Sequence, residues 1–256
     1  ATELQGGQVG LGIPAHHGSL LAFLTASGSQ IVDDNGIYSF ADQSGLATAD
    51  LLYQLLAGEC AVVYNDWDTG PVRLSKSSMA MIVGSSNDLA DIEQAIAQGR
   101  NFVLNLNPMV GLTGTGSSLW SGPGLAVVSS NSQREENALH VLNWFYSKEM
   151  QEQWSQQTAY LPIRRSLIEV EKTTSEDPAK NQLLDIVLMA DLQGNWVSWP
   201  LFTNRMACRA SLLRALLFFS EQDTLPRDYI NTAVTACNTV VQPIKPPVPV
   251  DEETTR

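Results

Sequence analysis

The sequence predicts a mixed α/β fold in which strands and helices alternate along a chain of 256 residues. Two observations lead to this prediction: short apolar runs that end at glycine or proline, and longer runs whose apolar residues recur at helical spacing. Apolar residues make up 44% of the chain and charged residues 16%, as in an ordinary globular protein. The length suffices for one large domain or two modest ones with a sizeable core.

The first hundred residues alternate between strand and helix signals. A run at residues 8–13 ends at Pro14 and predicts a strand, and Asn35-Gly36 between apolar flanks predicts a hairpin turn. The run MAMIV, ended by Gly84, predicts a buried strand at residues 79–83. Helices are predicted at residues 19–28, 44–58 and 85–99, the last with Ser86, Asn87 and Asp88 as candidate N-caps.

The remainder of the chain is richer in helix signals. Strands are predicted at residues 101–109 and in the apolar run GLAVV, residues 124–128. The pair Asp177-Pro178 predicts a helix start, because proline is favoured directly after an N-cap. Helices are predicted at residues 132–147, 147–158, 177–192, 205–219 and 225–241. The last stretch holds four prolines and no core pattern, which predicts an extended tail.

The charge and the cysteine count narrow the possible functions. The chain has 15 Lys and Arg against 27 Asp and Glu, a formal charge of −12, so its surface repels phosphate backbones and no nucleic acid is expected as a partner. Its three histidines are too few and too scattered to predict a metal site. Cys60, Cys208 and Cys237 fit no zinc or CxxC spacing, and their number allows one bridge with one free thiol or three buried thiols.

Five segments, in this order, resemble the C-terminal half of the family 1 extracellular solute-binding proteins, the maltose-binding-protein-like components that capture ligands for ABC importers. The matching segments are Met79-Ala80-Met81 with Gly84, the strand end at Pro108, the stretch Gly122–Val127, the helix Ala138–Tyr146 and the turn Tyr160–Ser166. Many members of that family bind carbohydrates. The order and spacing of the five segments make the resemblance more specific than any segment alone.

The resemblance implies a type II periplasmic-binding-protein-like fold, in which two lobes are joined by a hinge. On that basis residues 1–103 and 159–240 would form the second lobe, and residues 104–158 would return to the first lobe. Residues 241–256 would be a proline-rich tail. The N-terminal part of the first lobe would precede Ala1, so a missing first-lobe segment is expected as a partner of this chain.

The resemblance also implies a function. The expected ligand is a small solute, a mono- or oligosaccharide, which is captured between the lobes and delivered to the transmembrane subunits of an ABC permease. Proteins of this kind are extracellular, periplasmic or lipid-anchored at the cell surface. Neither catalysis nor a cofactor is expected.

Aromatic residues supply the first group of predicted ligand contacts, because rings stack on the apolar faces of sugars while few polar groups fix the orientation. By the resemblance, Trp120 borders the cleft, and Trp196, Trp199 and Phe202 belong to an aromatic loop that faces it. Small residues around Trp120 in SSLWSGPG let a ligand approach closely. The alternative for each ring is packing in the core of the protein.

Polar residues that follow the predicted strands supply the second group. His16 and His17 come after the first strand, and Ser86 and Asn87 lie in the turn after MAMIV. Adjacent imidazoles can donate to hydroxyls and titrate near neutrality. The alternatives are an exposed turn for a histidine and helix capping for the other pair. Many sugar binders have a tryptophan in this turn, and its absence here departs from the maltose-like pattern.

Two other function classes compete with a binding protein. A glycoside hydrolase or other carbohydrate-active enzyme would use a carboxylate pair, and acidic residues are plentiful. The chain shows no GxSxG, HExxH or phosphate-loop motif, which disfavours the common hydrolases. An interaction module that uses the acidic surface and the proline tail leaves the five ordered segments unexplained. Tyr160 and Arg164 are interpreted as mainly structural.

Overall fold

The computed structural model describes residues 8–66, 69–100, 102–122, 124–158, 160–198, 205–219 and 225–239. Within these ranges the chain forms seven strands and ten helices. The strands are β1 (Val9–Pro14), β2 (Ala61–Tyr64), β3 (Met79–Ile82), β4 (Val110–Gly111), β5 (Gly114–Thr115), β6 (Ser118–Trp120) and β7 (Trp196–Ser198). The helices are α1 (His17–Ala26), α2 (Gln43–Ala57), α3 (Thr69–Ser75), α4 (Leu89–Gln98), α5 (Ser132–Phe145), α6 (Lys148–Gln157), α7 (Arg165–Thr174), α8 (Pro178–Gln193), α9 (Arg205–Phe218) and α10 (Pro226–Asn238).

A three-stranded parallel sheet of order β2-β1-β3 lies at the centre of the α/β part. In its register Leu11 of β1 pairs with Ala61 on one side and with Met81 on the other. Parallel strands need a crossover connection, and helices supply it on both sides of β1. The mixed α/β prediction is therefore confirmed.

Helices cover both faces of this sheet. On one face α1, α2, α9 and α10 enclose the largest core, which includes Ile13, Leu20, Leu24, Phe40, Leu52, Leu212, Leu216 and Ile230. On the other face α3 and α4 pack with β3 around Leu74, Ile92 and Ile96. Side chains alternate between the two faces along a strand, so Ile13 enters the first core and Ile82 borders the second.

Local signals set several of the element boundaries as predicted. Asp177 Oδ1 accepts from the Ala179 N–H over 2.9 Å at the start of α8, and Ser147 Oγ accepts from the Met150 N–H over 3.3 Å at the start of α6. The predicted hairpin at Asn35-Gly36 is reduced to a single bridge between Val32 and Tyr38. Gly36 has φ +78°, a left-handed conformation that glycine adopts without strain.

The strand predictions for residues 101–109 and 124–128 are wrong for the described residues, since 102–109 and 124–128 contain no strand. A strand requires a neighbour to satisfy its N–H and C=O groups, and none is assigned beside either stretch in the described part of the chain. One valine in each stretch is largely open, with Val103 81% and Val128 82% exposed, whereas Phe102 and Leu104 pack against the core around Ile92.

Helix α5 has an apolar side that the described structure covers only in part. Sequence periodicity predicts a shared face of Ala138, Val141, Leu142 and Phe145, yet α5 has no buried residue. Val141 and Trp144 are each 60% exposed. An amphipathic helix normally places such a stripe against a core, so the part of this side that holds Val141 and Trp144 has no core against it in the described chain.

A disulfide between Cys208 and Cys237 joins α9 to α10. Both cysteines lie inside the largest core, and Cys60 remains a free, half-buried thiol. The structure thus selects one bridge with one free thiol from the two alternatives that the cysteine count allows.

We expect reduction of this bond, or the pair Cys208→Ser and Cys237→Ser, to lower the free energy of unfolding by about 3 to 4 kcal/mol. The bond closes a loop with a sequence separation of 29, which restricts the unfolded chain. Urea denaturation with and without reductant measures the difference. Cys60→Ser is the matched control and should shift the midpoint little. A midpoint that reductant leaves unchanged would contradict the prediction.

Candidate functional site

The carboxyl ends of the three parallel strands meet at one edge of the central sheet. Pro14 at the end of β1 pairs with Tyr64 at the end of β2, and the Val83 N–H, directly after β3, donates to the Gly12 carbonyl over 2.9 Å. The loops that leave these strands therefore begin side by side. In open α/β sheets such an edge is where ligands bind.

His16 lies in the loop after β1, and His17 is the first residue of α1. The His16 Nδ1 accepts from the Gly18 N–H over 3.2 Å and caps α1, and the two imidazole rings lie 4.0 Å apart between centroids. Partial desolvation, then the positive charge of Arg209 on α9, lower the pKa of His16 below its usual 6.5. A neutral ring that accepts at Nδ1 carries its proton on Nε2. His16 can therefore donate a hydrogen bond to a solute hydroxyl.

Ser86 and Asn87 lie in the turn after β3, which forms one 3₁₀ turn before α4. Both side chains are half-buried. The Ser85 hydroxyl donates to the Asn87 Oδ1, so the amide NH₂ of Asn87 faces away from that contact as a donor. The structure thus brings Ser86 and Asn87 to the same sheet edge as the two histidines.

Two buried titratable groups, Tyr64 and Asp88, support this edge, and the sequence did not reveal their role. Burial, with the charge of Asp88 as a second cause, raises the pKa of Tyr64 to about 12. Burial also raises the pKa of Asp88 to about 6, against the opposing effect of a hydrogen bond from the Ser85 N–H. The Tyr64 ring fits because Gly70 has no side chain: a Cβ there would lie 2.3 Å from the Tyr64 oxygen. Asp88 was recognised only as a candidate N-cap, and Tyr64 had no recognisable signal.

Trp120 and Trp196 form a second group, on the small parallel sheet of β6 and β7. Ser118 pairs with Trp196 and Trp120 with Ser198, and the two indoles meet edge to face with centroids 5.1 Å apart. Trp120 remains 43% exposed and ends β6 rather than lying within a loop. The predicted Trp199 and Phe202 lie outside the described residues.

A cavity of about 270 Å³ opens beside this aromatic pair. Ser118 and Asn195 line it from the strand side, and Met189 lines it from α8. Ligand pockets typically measure about 300 to 1,000 Å³, so the hollow is small for a complete site. The candidate ligand-binding residues therefore lie at open sheet edges rather than in an enclosed pocket.

Tyr160 and Arg164 have structural contacts in the described chain. The Arg164 guanidinium donates twice to the Tyr146 carbonyl at the end of α5, over 2.8 and 2.6 Å. Tyr160 stacks on Trp154 with ring centroids 6.5 Å apart. The interpretation of this turn as mainly structural agrees with these contacts.

The described residues hold no group of three or more His, Cys, Asp or Glu side chains that could bind a metal ion. None of the helices in the described ranges is long and apolar enough to cross a membrane.

Together the fold and this strand-end edge define an open α/β protein, the architecture in which ligands bind beyond the carboxyl ends of parallel strands. A family model described as bacterial extracellular solute-binding protein matches residues 1–182. The chain therefore belongs to the bacterial extracellular solute-binding proteins, and the predicted family is confirmed. No curated protein matches the sequence.

Solved structures share the fold at low sequence identity. They include the GacH receptor of Streptomyces glaucescens (18% identity, TM-score 0.64), UgpB from Mycobacterium tuberculosis in complex with glycerophosphocholine (17%, 0.63) and a cyclo/maltodextrin-binding protein complexed with maltotetraose (13%, 0.70). The alignments cover 91, 91 and 93% of this chain but 59, 58 and 60% of the others. The likeness confirms the predicted type II periplasmic-binding-protein fold, and the chain spans about 60% of these structures' length.

The electrostatics of His16 can be tested directly. We expect His16 to titrate below pH 6.5 in nuclear magnetic resonance spectra, and Arg209→Gln to raise its pKa because a repelling charge is removed. Since the unfolded chain then binds this proton at higher pH than the folded chain, stability should fall as pH drops below 6.5. Arg214→Gln, an exposed change on the same helix, is the control. An unchanged His16 pKa in Arg209→Gln would refute the assignment.

Proposed function

We propose that this chain is the ligand-capturing component of an ABC importer for a mono- or oligosaccharide. The observation that carries the proposal is the strand-end edge, where His16, His17, Ser86 and Asn87 lie together in a family of extracellular solute-binding proteins. Donors at such an edge suit the hydroxyls of a sugar. Tyr64 and Asp88 at this edge are buried, and we propose no catalytic role for them.

The aromatic pair supplies the other half of the proposed recognition. Trp120 presents an exposed ring while Trp196 fixes it from the side. Trp199 and Phe202 remain proposed members of the same aromatic group. Rings of this kind bind the apolar face of a sugar, and fixing them in advance lowers the entropic cost of binding.

The proposed cleft needs a second wall. We assign residues 1–103 and 159–240 to the second lobe and residues 104–158 to the first, with a further first-lobe segment covering α5. The exposed Val141 and Trp144, and the unpaired stretches that contain Val103 and Val128, support this assignment. So does the length of the solved relatives, about 40% of which has no counterpart here.

Closure of the two lobes would bury the solute, and an ABC permease would receive it. The family description supports an extracellular, periplasmic or surface-anchored location. The disulfide between Cys208 and Cys237 is also compatible with an oxidising compartment. No catalytic activity is proposed.

Calorimetry on the product of the whole gene, with maltose, maltotriose, maltotetraose and glycerophosphocholine, tests the proposal. We expect a saccharide to bind, and Trp120→Ala to weaken its binding by about tenfold or more, as for a central aromatic contact. Trp120→Phe keeps a ring and should retain most of the affinity. Binding of glycerophosphocholine alone would replace the sugar by a phosphodiester, and hydrolysis of any glycoside would favour the enzyme alternative.

The covering segment has its own test. Trp144→Gln should change the stability of the 256-residue chain by no more than about 0.5 kcal/mol, because the ring is 60% exposed. In the whole gene product the same change should cost about 2 kcal/mol or more, since a polar group enters a buried contact. Val170→Gln on α7, in the proposed second lobe, is the matched control and should behave alike in both. Equal effects of Trp144→Gln in the two forms would contradict the assignment.

A further inference from the structure

Asp88 is a buried carboxyl group in a position where an exposed one would suffice. Its exposure is 5%, and no ion pair in the described part of the chain involves it. Burial of an unpaired carboxylate is costly. A residue that only capped α4 would not need this burial, because caps work at the surface.

The carboxyl group closes the turn that carries two proposed ligand contacts. The Ser85 N–H donates to Asp88 Oδ2 over 2.5 Å, and the Asp88 N–H donates to the Ser85 carbonyl over 3.0 Å. These two bonds form a ring that encloses Ser86 and Asn87. A Cβ on Gly84 would lie 3.4 Å from Asp88 Oδ2, so the carboxyl group packs directly against the turn.

The groups that face Asp88 come from two elements. Tyr64, at the end of β2, feels the charge of Asp88, and Asp91 on α4 repels it. Neither group supplies a compensating positive charge. The Ser85 N–H is therefore the contact that stabilises the ionised form, and burial opposes it.

We propose that Asp88 is the positioning residue of this turn: its ionised carboxylate holds the Ser85 amide so that Ser86 and Asn87 keep the orientation that meets the solute. Protonation of Asp88 removes a charge-assisted hydrogen bond, loosens the turn and weakens solute binding. The part that concerns solute contact rests on the proposed function. The effect of Asp88 on the turn follows from its hydrogen bonds with Ser85 and does not depend on the proposed function.

A purely structural role and a positioning role make opposite predictions for Asp88→Asn. The substitution keeps the shape and a neutral acceptor, and it removes a desolvated charge. At pH 7.5 we expect it to raise the melting temperature, by about 2 °C or more, because the folded wild type carries that charge at a cost. The same substitution should weaken solute binding. If Asp88 served stability alone, the substitution would change the melting temperature and the affinity for the solute in the same direction.

The wild-type chain provides the first test and needs no variant. We expect the Ser85 amide resonance to shift with pH with a midpoint near 6, and the amides of Ser86 and Asn87 to exchange about fivefold faster below that midpoint after correction for intrinsic rates. Asp91→Asn leaves the turn contact in place and should preserve this transition with a small displacement. A Ser85 resonance and turn protection that do not depend on pH between 4.5 and 8 would overturn the proposal.

The second test measures maltotriose binding by the whole gene product at pH 7.5 and 5.5. We expect wild-type affinity to fall about fivefold more than that of Asp88→Asn between these pH values, because only the wild type loses the charge. The contribution of His16 is common to both and cancels. Asp88→Asn that lowers both the melting temperature and the affinity would overturn the positioning role. If maltotriose binds neither form, the proposed sugar fails, while the amide measurements still decide whether Asp88 controls the turn.

Discussion

The parallel pairing of β1 with a strand on each side is the constraint on which the rest of the site depends. Because β2 and β3 both run in the direction of β1, the residues after all three strands are delivered to one edge. His16 and Asn87 are far apart in sequence and lie on the same border for this reason alone. The pairing is protected by cores on both faces, so the edge rests on the most buried part of the molecule.

The edge combines the exposed His16 and the half-buried Ser86 and Asn87, which can donate hydrogen bonds, with two buried groups, Tyr64 and Asp88. A histidine kept neutral, a hydroxyl and an amide suit a neutral, hydroxyl-rich solute better than an ion. Behind them lie the neutral phenol of Tyr64 and the carboxyl group of Asp88, which has no ion pair among the described residues and is buried at a cost. Trp120 and Trp196 lie on a separate, two-stranded sheet, where their indole rings contact each other edge to face. The proposed recognition is thus spread over a three-stranded and a two-stranded sheet.

Much of this fold was accessible from the sequence, and the failures have physical reasons. Helix α8 was predicted because Asp177-Pro178 is a strong local signal, and β3 because MAMIV is short, apolar and ended by glycine. Strand β2 and helix α3 were not predicted: AVVY is only four residues long and follows the turn Gly58-Glu59-Cys60 without a clear period. The stretches around Val103 and Val128 have the composition of strands, but composition cannot supply a neighbouring strand.

Local sequence signals also accounted for the candidate site only in part. His16, Ser86 and Asn87 were predicted as ligand contacts because they follow strands, whose ends topology brings to one edge. The contact of Trp120 with Trp196 depends on pairing between segments far apart in the sequence. The bond between Cys208 and Cys237 has a mechanical consequence for that site. Local unfolding that starts at α10 cannot separate this helix alone, because the disulfide links it to α9. Helix α9 carries Arg209, whose charge acts on His16. Helix α10 is thereby held to the helix that places Arg209 near His16.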